Sequence, residues 1–236
     1  MYTFQLRDKN ILVTGVGGFL GSNLRNALVS EGANIIGTDV ESQPNTHKLD
    51  ISDADAVDKF VIDLASKKVT LDGIVNNAAV SFKGFNITDE QFEKTMRVNI
   101  QGTYNCITKF KPLMNKGSIV NIASIFGFLS PDYKVYDYDS TLYNSSAYGA
   151  TKAGIIQMTK YYAVHYAPSI RVNAASPGGI WQNHKDEFFN KYSERVPMGR
   201  MAQVEEIVQP ILFLLSPISS YITGHNLIVD GGLSSW

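Results

Sequence analysis

The sequence predicts an α/β protein, a single doubly wound domain whose mostly parallel seven-stranded sheet is covered by helices on both faces. Three observations carry that prediction. Short apolar runs alternate along the chain with longer segments of helical periodicity. The runs are apolar throughout rather than at every second residue, as strands covered on both faces require. No linker, internal repeat or low-complexity tract interrupts the pattern, so residues 1–236 read as one domain.

Each element can be justified in order. Residues 10–14, Asn-Ile-Leu-Val-Thr, form an apolar run that ends in glycines and reads as a buried strand. From Phe19 onward, Leu20, Leu24, Ala27 and Leu28 recur at helical spacing, and Gly32 supplies a stop. Residues 33–38 give a second strand closed by Asp39, and residues 47–50 a brief third. Val57, Phe60, Val61 and Leu64 make residues 54–67 an amphipathic helix. Residues 71–76 are strand and 88–110 helix; 118–123 are strand and 146–167 a long helix. Residues 170–174 are strand, 204–215 helix and 227–229 a final strand. Between Asp39 and Leu49 lie only residues 40–48, too few for the dozen or more that a strand–helix–strand crossover needs. The helix after the second strand is therefore predicted to be shortened or absent, or else the third strand is displaced.

Composition narrows the function. Hydrophobic residues make up 44% and charged residues 18%, which excludes disordered and fibrous classes. The net charge of −1, with both signs interspersed, argues against nucleic acid or an anionic membrane as the main partner. The first nine residues lack a signal-peptide pattern, and no apolar run approaches the roughly 18 residues of a spanning helix. The expectation is a soluble cytoplasmic protein with a small-molecule substrate and no metal. A lone cysteine, Cys106, fits a reducing compartment and, in an apolar helical setting, reads as a packed thiol.

Thr14-Gly15-Val16-Gly17-Gly18-Phe19-Leu20-Gly21 links the first strand to the first helix. In that context glycines permit a tight turn and close backbone approach, and the helix N-terminus offers free N–H groups to a pyrophosphate. Asp39 ends the second strand, 24 residues after Gly15, where a carboxylate can accept from both hydroxyls of an adenosine ribose. It would repel a 2′-phosphate, and no Arg or Lys is near in sequence to neutralise one. NAD(H) is the expected cofactor rather than NADP.

Tyr148 and Lys152 are four apart on the long helix and share a face. A free tyrosine, with a pKa of about 10, is a poor proton acceptor near neutrality. A nearby ammonium stabilises the phenolate and makes the hydroxyl usable in both directions. Such a pair is common by chance, so its placement matters more than its spacing. Ser124 follows the strand at 118–123, Asn76-Asn77-Ala78-Ala79 closes the strand before it, and Pro177-Gly178-Gly179-Ile180 follows the next. All lie beyond the carboxyl ends of strands, where open α/β sheets bind their ligands.

Taken together, these motifs resemble the single-domain short-chain dehydrogenase/reductase family over nearly the whole chain, through Pro197-Met198-Gly199-Arg200 to Asp230-Gly231-Gly232. The resemblance implies a Rossmann-like fold and hydride transfer between a nicotinamide and an alcohol or ketone. It assigns Ser124, Tyr148, Lys152 and Asn99 to catalysis, with Asn99 holding a relay water. It assigns Gly15, Gly18, Phe19, Leu20, Gly21, Asp39, Asn77, Ala78, Ala79, Pro177, Gly178 and Ile180 to the cofactor, beside Tyr148 and Lys152. Asp50 and Ile51 would flank the adenine, Lys152 would hold the nicotinamide ribose, and the Ile180 backbone would meet the carboxamide. The family commonly pairs through two long helices, here 88–110 and 146–167, which implies a homodimer or homotetramer.

Three departures from the family pattern stand out. Phe19 replaces a usual glycine, giving the Gly-x-x-Gly-x-x-Gly spacing of sugar-nucleotide-modifying relatives. The helix after Asp39 is missing. Ser124 and Tyr148 are 24 apart, about twice the usual separation, and the excess falls in residues 130–143, an aromatic and acidic insertion. Its aromatic and acidic character suggests a hydroxyl-rich substrate such as a sugar or sugar phosphate, with a solvated insertion or a subunit contact as the alternative. It also loosely resembles the insertions of bacterial surface-glycan and flagellin-modification oxidoreductases. Residues 181–195, with His184, Lys185, Lys191 and Arg195, form a candidate lid whose cations face either an anionic group or solvent. A sugar-nucleotide epimerase or dehydratase is the rival enzyme, though the chain leaves little room for the extra substrate domain. A non-catalytic dinucleotide sensor is the rival from another class, and it has no need of a proton relay.

Overall fold

The computed structural model describes residues 4–137, 139 and 141–236. The N-terminal tripeptide and two insertion residues, Tyr138 and Ser140, lie outside the described residues. Seven strands are present: β1 Asn10–Thr14, β2 Asn34–Asp39, β3 His47–Lys48, β4 Gly73–Asn76, β5 Gly117–Ile122, β6 Ile170–Pro177 and β7 Asn226–Val229. They pair in the order β3-β2-β1-β4-β5-β6-β7, every pairing parallel. The sheet reverses its direction of growth between β1 and β4, which opens a crevice beyond their carboxyl ends.

The helices are α1 Phe19–Ser30, α2 Ala54–Ser66, α3 Asp89–Met96, α4 Thr103–Lys109, α5 Ser146–Tyr166, α6 Asp186–Arg195 and α7 Val204–Leu215. Strand periodicity sends alternate side chains to opposite layers. Ile11 and Val13 of β1 therefore join Leu24 and Leu28 of α1 and Ile207 and Ile211 of α7. Leu12 points the other way, into a layer with Val57 of α2, Ile107 of α4 and Tyr162 of α5. Both layers are closed to water, and each fully buried Leu or Ile contributes roughly 1.5–3 kcal/mol.

Two predicted elements take a form that periodicity cannot show. The expected helix at 88–110 is α3, a π-helical turn at Arg97–Gly102, then α4. The wider turn accommodates Asn99, which is fully buried. The missing helix after β2 is confirmed, and the short connection has a simple geometry. β3 pairs only with the last two residues of β2, Thr38↔His47 and Asp39↔Lys48. The chain thus returns no further than the sheet's carboxyl edge, and seven residues suffice.

Candidate active site

Thr14 ends β1, and Gly15 turns the chain at φ +70°. A methyl group there would sit 2.8 Å from the Ala78 backbone, and one at Gly21 only 2.0 Å from the Gly15 carbonyl oxygen. Both positions therefore require glycine. At Gly18, by contrast, nothing lies within 3.5 Å of an added carbon, so space remains in front of α1. Gly18 caps α1 without a side-chain bond, and no acidic residue occupies the first turn. The Phe19, Leu20 and Gly21 N–H groups are thus available to an anion. Phe19 itself stays partly exposed beside them.

Asp39 borders the same turn. Its Oδ2 accepts from the Gly17 N–H at 2.8 Å and its Oδ1 from the Glu41 N–H at 3.2 Å. Lys48, nine residues further on and unremarked by sequence spacing, is the register partner of Asp39. No ion pair joins them among the described residues. Asn77 donates from Nδ2 to the Thr14 and Gly15 carbonyls, each at 3.0 Å. The Asn77 and Ala78 N–H groups both bond the Thr14 hydroxyl, at 3.1 and 3.0 Å, and Ala79 is exposed next to them. Asp50 accepts from the Ser52 N–H and hydroxyl at 2.9 and 2.7 Å. Ile51 is buried, and its carbonyl accepts from Asn105 at 2.8 Å. A glycine cradle, a free helix N-terminus and a fixed carboxylate together fit a nicotinamide dinucleotide.

The second half of the site lies across β5. Ser124 is buried, and its hydroxyl accepts from the Phe126 N–H at 3.2 Å. Tyr148, in the first turn of α5, lines the same cavity as Ser124. Lys152 follows one turn later and is only 2% exposed. Its Nζ donates to the Ile122 carbonyl at 2.6 Å and lies 5.5 Å from the Tyr148 ring centroid. Burial pulls Lys152 down to about 8. The expectation that Lys152 would lower Tyr148 meets a stronger effect. Burial raises the tyrosine pKa, and the nearby Ser124 hydroxyl opposes that rise.

The Asn99 side chain is held by the backbone after Ala79 and by α5. Its Oδ1 accepts from the Val80 N–H at 2.8 Å, while Nδ2 donates to the Val80 carbonyl at 3.0 Å and to Thr151 Oγ1 at 3.1 Å. Both amide protons are engaged. The side chain thereby clamps the segment after Ala79 to α5, one turn from Tyr148.

Beyond β6, Gly178 is bonded through its N–H to the Val229 carbonyl at 2.9 Å. Ile180 forms a parallel bridge with Ala202, in which the flanking Gly179 carbonyl and Trp181 N–H make the bonds. Strand geometry then turns the Ile180 N–H and carbonyl to the opposite edge, toward the cavity it lines. That cavity, about 450 Å³, is also lined by Ser124, Tyr148, Pro177 and Gly178. Its outer wall comes from Tyr136 and Leu142 of the insertion and from Phe188 and Tyr192 of α6.

Several lining residues escaped the sequence reading, Lys83, Asn144 and Tyr192 among them. Lys83 and Asn144 enter through an isolated antiparallel bridge between two loops, for which a sequence carries no periodic signal. Tyr192 was detectable, since Phe188 and Tyr192 are spaced as one helix face. Its hydroxyl accepts from the Gly179 N–H at 2.5 Å, which latches α6 to the strand-end loop. The acids of the insertion do not face the cavity. Asp137 pairs with Lys191, and Asp132 with Arg195 at 3.0 Å, so acids and lid cations bind insertion to α6. Cys106 is fully buried away from the site, and burial raises its thiol to about 12. Among the described residues no cluster of His, Cys, Asp or Glu could hold a metal ion. No helix among them is long and apolar enough to cross a membrane.

Comparison with known proteins agrees with this geometry. A family model described as enoyl-(acyl carrier protein) reductase matches residues 20–234. A 3-oxoacyl-[acyl-carrier-protein] reductase of Thermotoga maritima is 31% identical, over 97% of this chain and 99% of its own. A short chain dehydrogenase of Leptospira borgpetersenii, solved with bound NAD+, superposes with a TM-score of 0.92 at 33% identity, covering 99% and 96% of the two chains. A gluconate 5-dehydrogenase of Burkholderia cenocepacia, in complex with NADP and tartrate, does so at 0.89 and 25%, covering 99% and 98%. The resemblance to surface-glycan oxidoreductases finds no counterpart in these three relatives. The chain belongs to the short-chain dehydrogenase/reductase family and is an oxidoreductase of that type.

Proposed function

We propose that the protein is an NAD(H)-dependent dehydrogenase or reductase that interconverts an alcohol and a ketone on a small polar substrate of the sugar or sugar-phosphate class. The observation that carries this reading is that Ser124 and Tyr148 line one cavity, with Lys152 buried one helical turn from Tyr148. When bound, the nicotinamide supplies or accepts the hydride. The chain supplies the proton and the orientation. In reduction, Tyr148 donates its hydroxyl proton to the substrate oxygen, while Ser124 donates a hydrogen bond to that oxygen. In oxidation, Tyr148 takes the proton back. Lys152, charged at neutral pH with a pKa near 8, favours the phenolate against the opposing effect of burial.

Asp39 supports NAD over NADP, because its carboxylate is fixed by two backbone N–H groups and Glu41 adds a second negative charge beside it. Lys48 works against this preference, since it stands next to Asp39 and none of the ion pairs among the described residues includes it. A homodimer or homotetramer is supported by Phe92, Tyr104, Tyr161 and Val164, all exposed on α3, α4 and α5. The enzymatic reading is tested with Tyr148→Phe. We expect turnover to fall by about 10²–10⁴-fold with NADH affinity retained. Full turnover in the variant would refute the assignment.

A further inference from the structure

The cavity in front of Tyr148 has a charge pattern that the proton-transfer machinery does not use. Three basic residues line it: Lys83, His184 and Lys185. No aspartate or glutamate does. The other cations of this region are already neutralised, Lys191 by Asp137 and Glu187 and Arg195 by Asp132. The ion pairs among the described residues include neither Lys83 nor Lys185.

The backbone holds these groups in place. Lys83 sits on the bridge to Asn144, flanked by the Gly84 N–H to Tyr143 carbonyl bond at 3.0 Å and the Ser145 N–H to Phe82 carbonyl bond at 3.1 Å. Lys185 is the N-cap of α6, a position where a cation opposes the helix dipole and where its side chain makes no capping bond. Asp186 and Glu187 follow it in the first turn, but neither lines the cavity, and Glu187 is paired with Lys191. His184 lies tilted against Trp181 and Phe188, at 5.7 and 5.4 Å between ring centroids. A local rule broken by Lys185, with no structural return, marks a functional position.

We infer that the substrate carries an anionic group, a carboxylate or a phosphate, and that Lys83 and Lys185 hold it at the mouth of the cavity while its reacting carbon lies against Ser124 and Tyr148. The inference rests on the oxidoreductase reading above and narrows its substrate class. Protein crowding around Lys83 lowers its pKa. His184 is lowered too, first by burial and then by the Lys83 charge, which places the two side chains close together. The Lys83 effect on His184 is repulsion between neighbouring positive charges, which a bound anion relieves. Leu142 and Phe188 add apolar surface beside these cations.

Matched pairs test the inference with NAD+-loaded protein: 3-hydroxybutyrate against its methyl ester, gluconate against sorbitol, and glucose 6-phosphate against glucose. For each compound kcat/KM is measured, or Kd by calorimetry where turnover is absent. The anion should be preferred at least tenfold in one or more pairs, and the pair that shows it separates carboxylate from phosphate. The Lys83→Met/Lys185→Met protein should lose most of that preference while its NADH affinity is kept, which shows that the fold is intact. Equal handling of anion and neutral partner in every pair, or a preference that survives the double substitution, would overturn the inference. Either result leaves the oxidoreductase reading standing, because that reading fails separately, through loss of NADH binding or full activity of Tyr148→Phe.

Discussion

Lys152 is the residue whose environment departs furthest from its solution chemistry. It is buried and bonded to a neutral carbonyl, so its folded pKa of about 8 lies below the 10.5 of the free side chain. Between those values the unfolded chain binds more protons than the folded one, so this residue adds stability as pH rises from 8 toward 10.5. The total is roughly 3 kcal/mol at about 1.4 kcal/mol per pKa unit. Denaturant unfolding of wild type and Lys152→Met at pH 7 and pH 10 measures it. The difference between the two proteins should move in favour of wild type at the higher pH, and the subtraction removes the tyrosines that titrate in the same range. A constant difference would show that Lys152 is not held as described. Serine, tyrosine and lysine were legible in the sequence because each stands at a strand end or on one helix face. The saturation of Asn99 and the upward shift of Tyr148 were not, since both depend on which groups meet across the fold.

At the scale of elements, the strand–turn–helix at Gly15–Gly21 and the α6 lid make separate predictions. Gly21→Ala would drive its new carbon to 2.0 Å from the Gly15 carbonyl oxygen, so the turn must open. NADH binding should be lost, and thermal stability should fall. Gly18→Ala meets nothing closer than 3.5 Å and should leave the fold unchanged by calorimetry. The lid depends on Tyr192, whose hydroxyl accepts the Gly179 N–H. Tyr192→Phe leaves that donor without a partner, at a cost of about 1–3 kcal/mol, and should weaken NADH binding roughly tenfold in a fluorescence titration. The surface pairs Lys191–Asp137 and Arg195–Asp132 contribute little by comparison. Periodicity announced α1, α2, α5 and α7 because each buries one face against the sheet. It could not announce the lid's partners, because ion pairs and aromatic contacts between α6 and the insertion join segments about 50 residues apart.

Over the whole molecule, the parallel sheet brings every reactive group to one edge. The glycine turn follows β1, Asp39 ends β2, Asn77 follows β4, Ser124 follows β5 and Ile180 follows β6. Alternating apolar runs and helical periods made this edge predictable, since parallel strands must all end on the same side. What the chain order concealed was the charge of the cavity. The insertion reads as acidic in sequence, yet Asp132 and Asp137 are taken up by Arg195 and Lys191, and the lining that remains is basic. The central claim is that this edge binds NAD(H) through the glycine turn and Asp39. It is tested most directly by titrating NADH and NADPH against wild type and Asp39→Ala by fluorescence. Wild type should bind NADH at least tenfold more tightly than NADPH, and Asp39→Ala should erase that difference by weakening NADH. Tighter binding of NADPH by wild type would transfer control of the cofactor from Asp39 to Lys48, and failure to bind either would contradict the account.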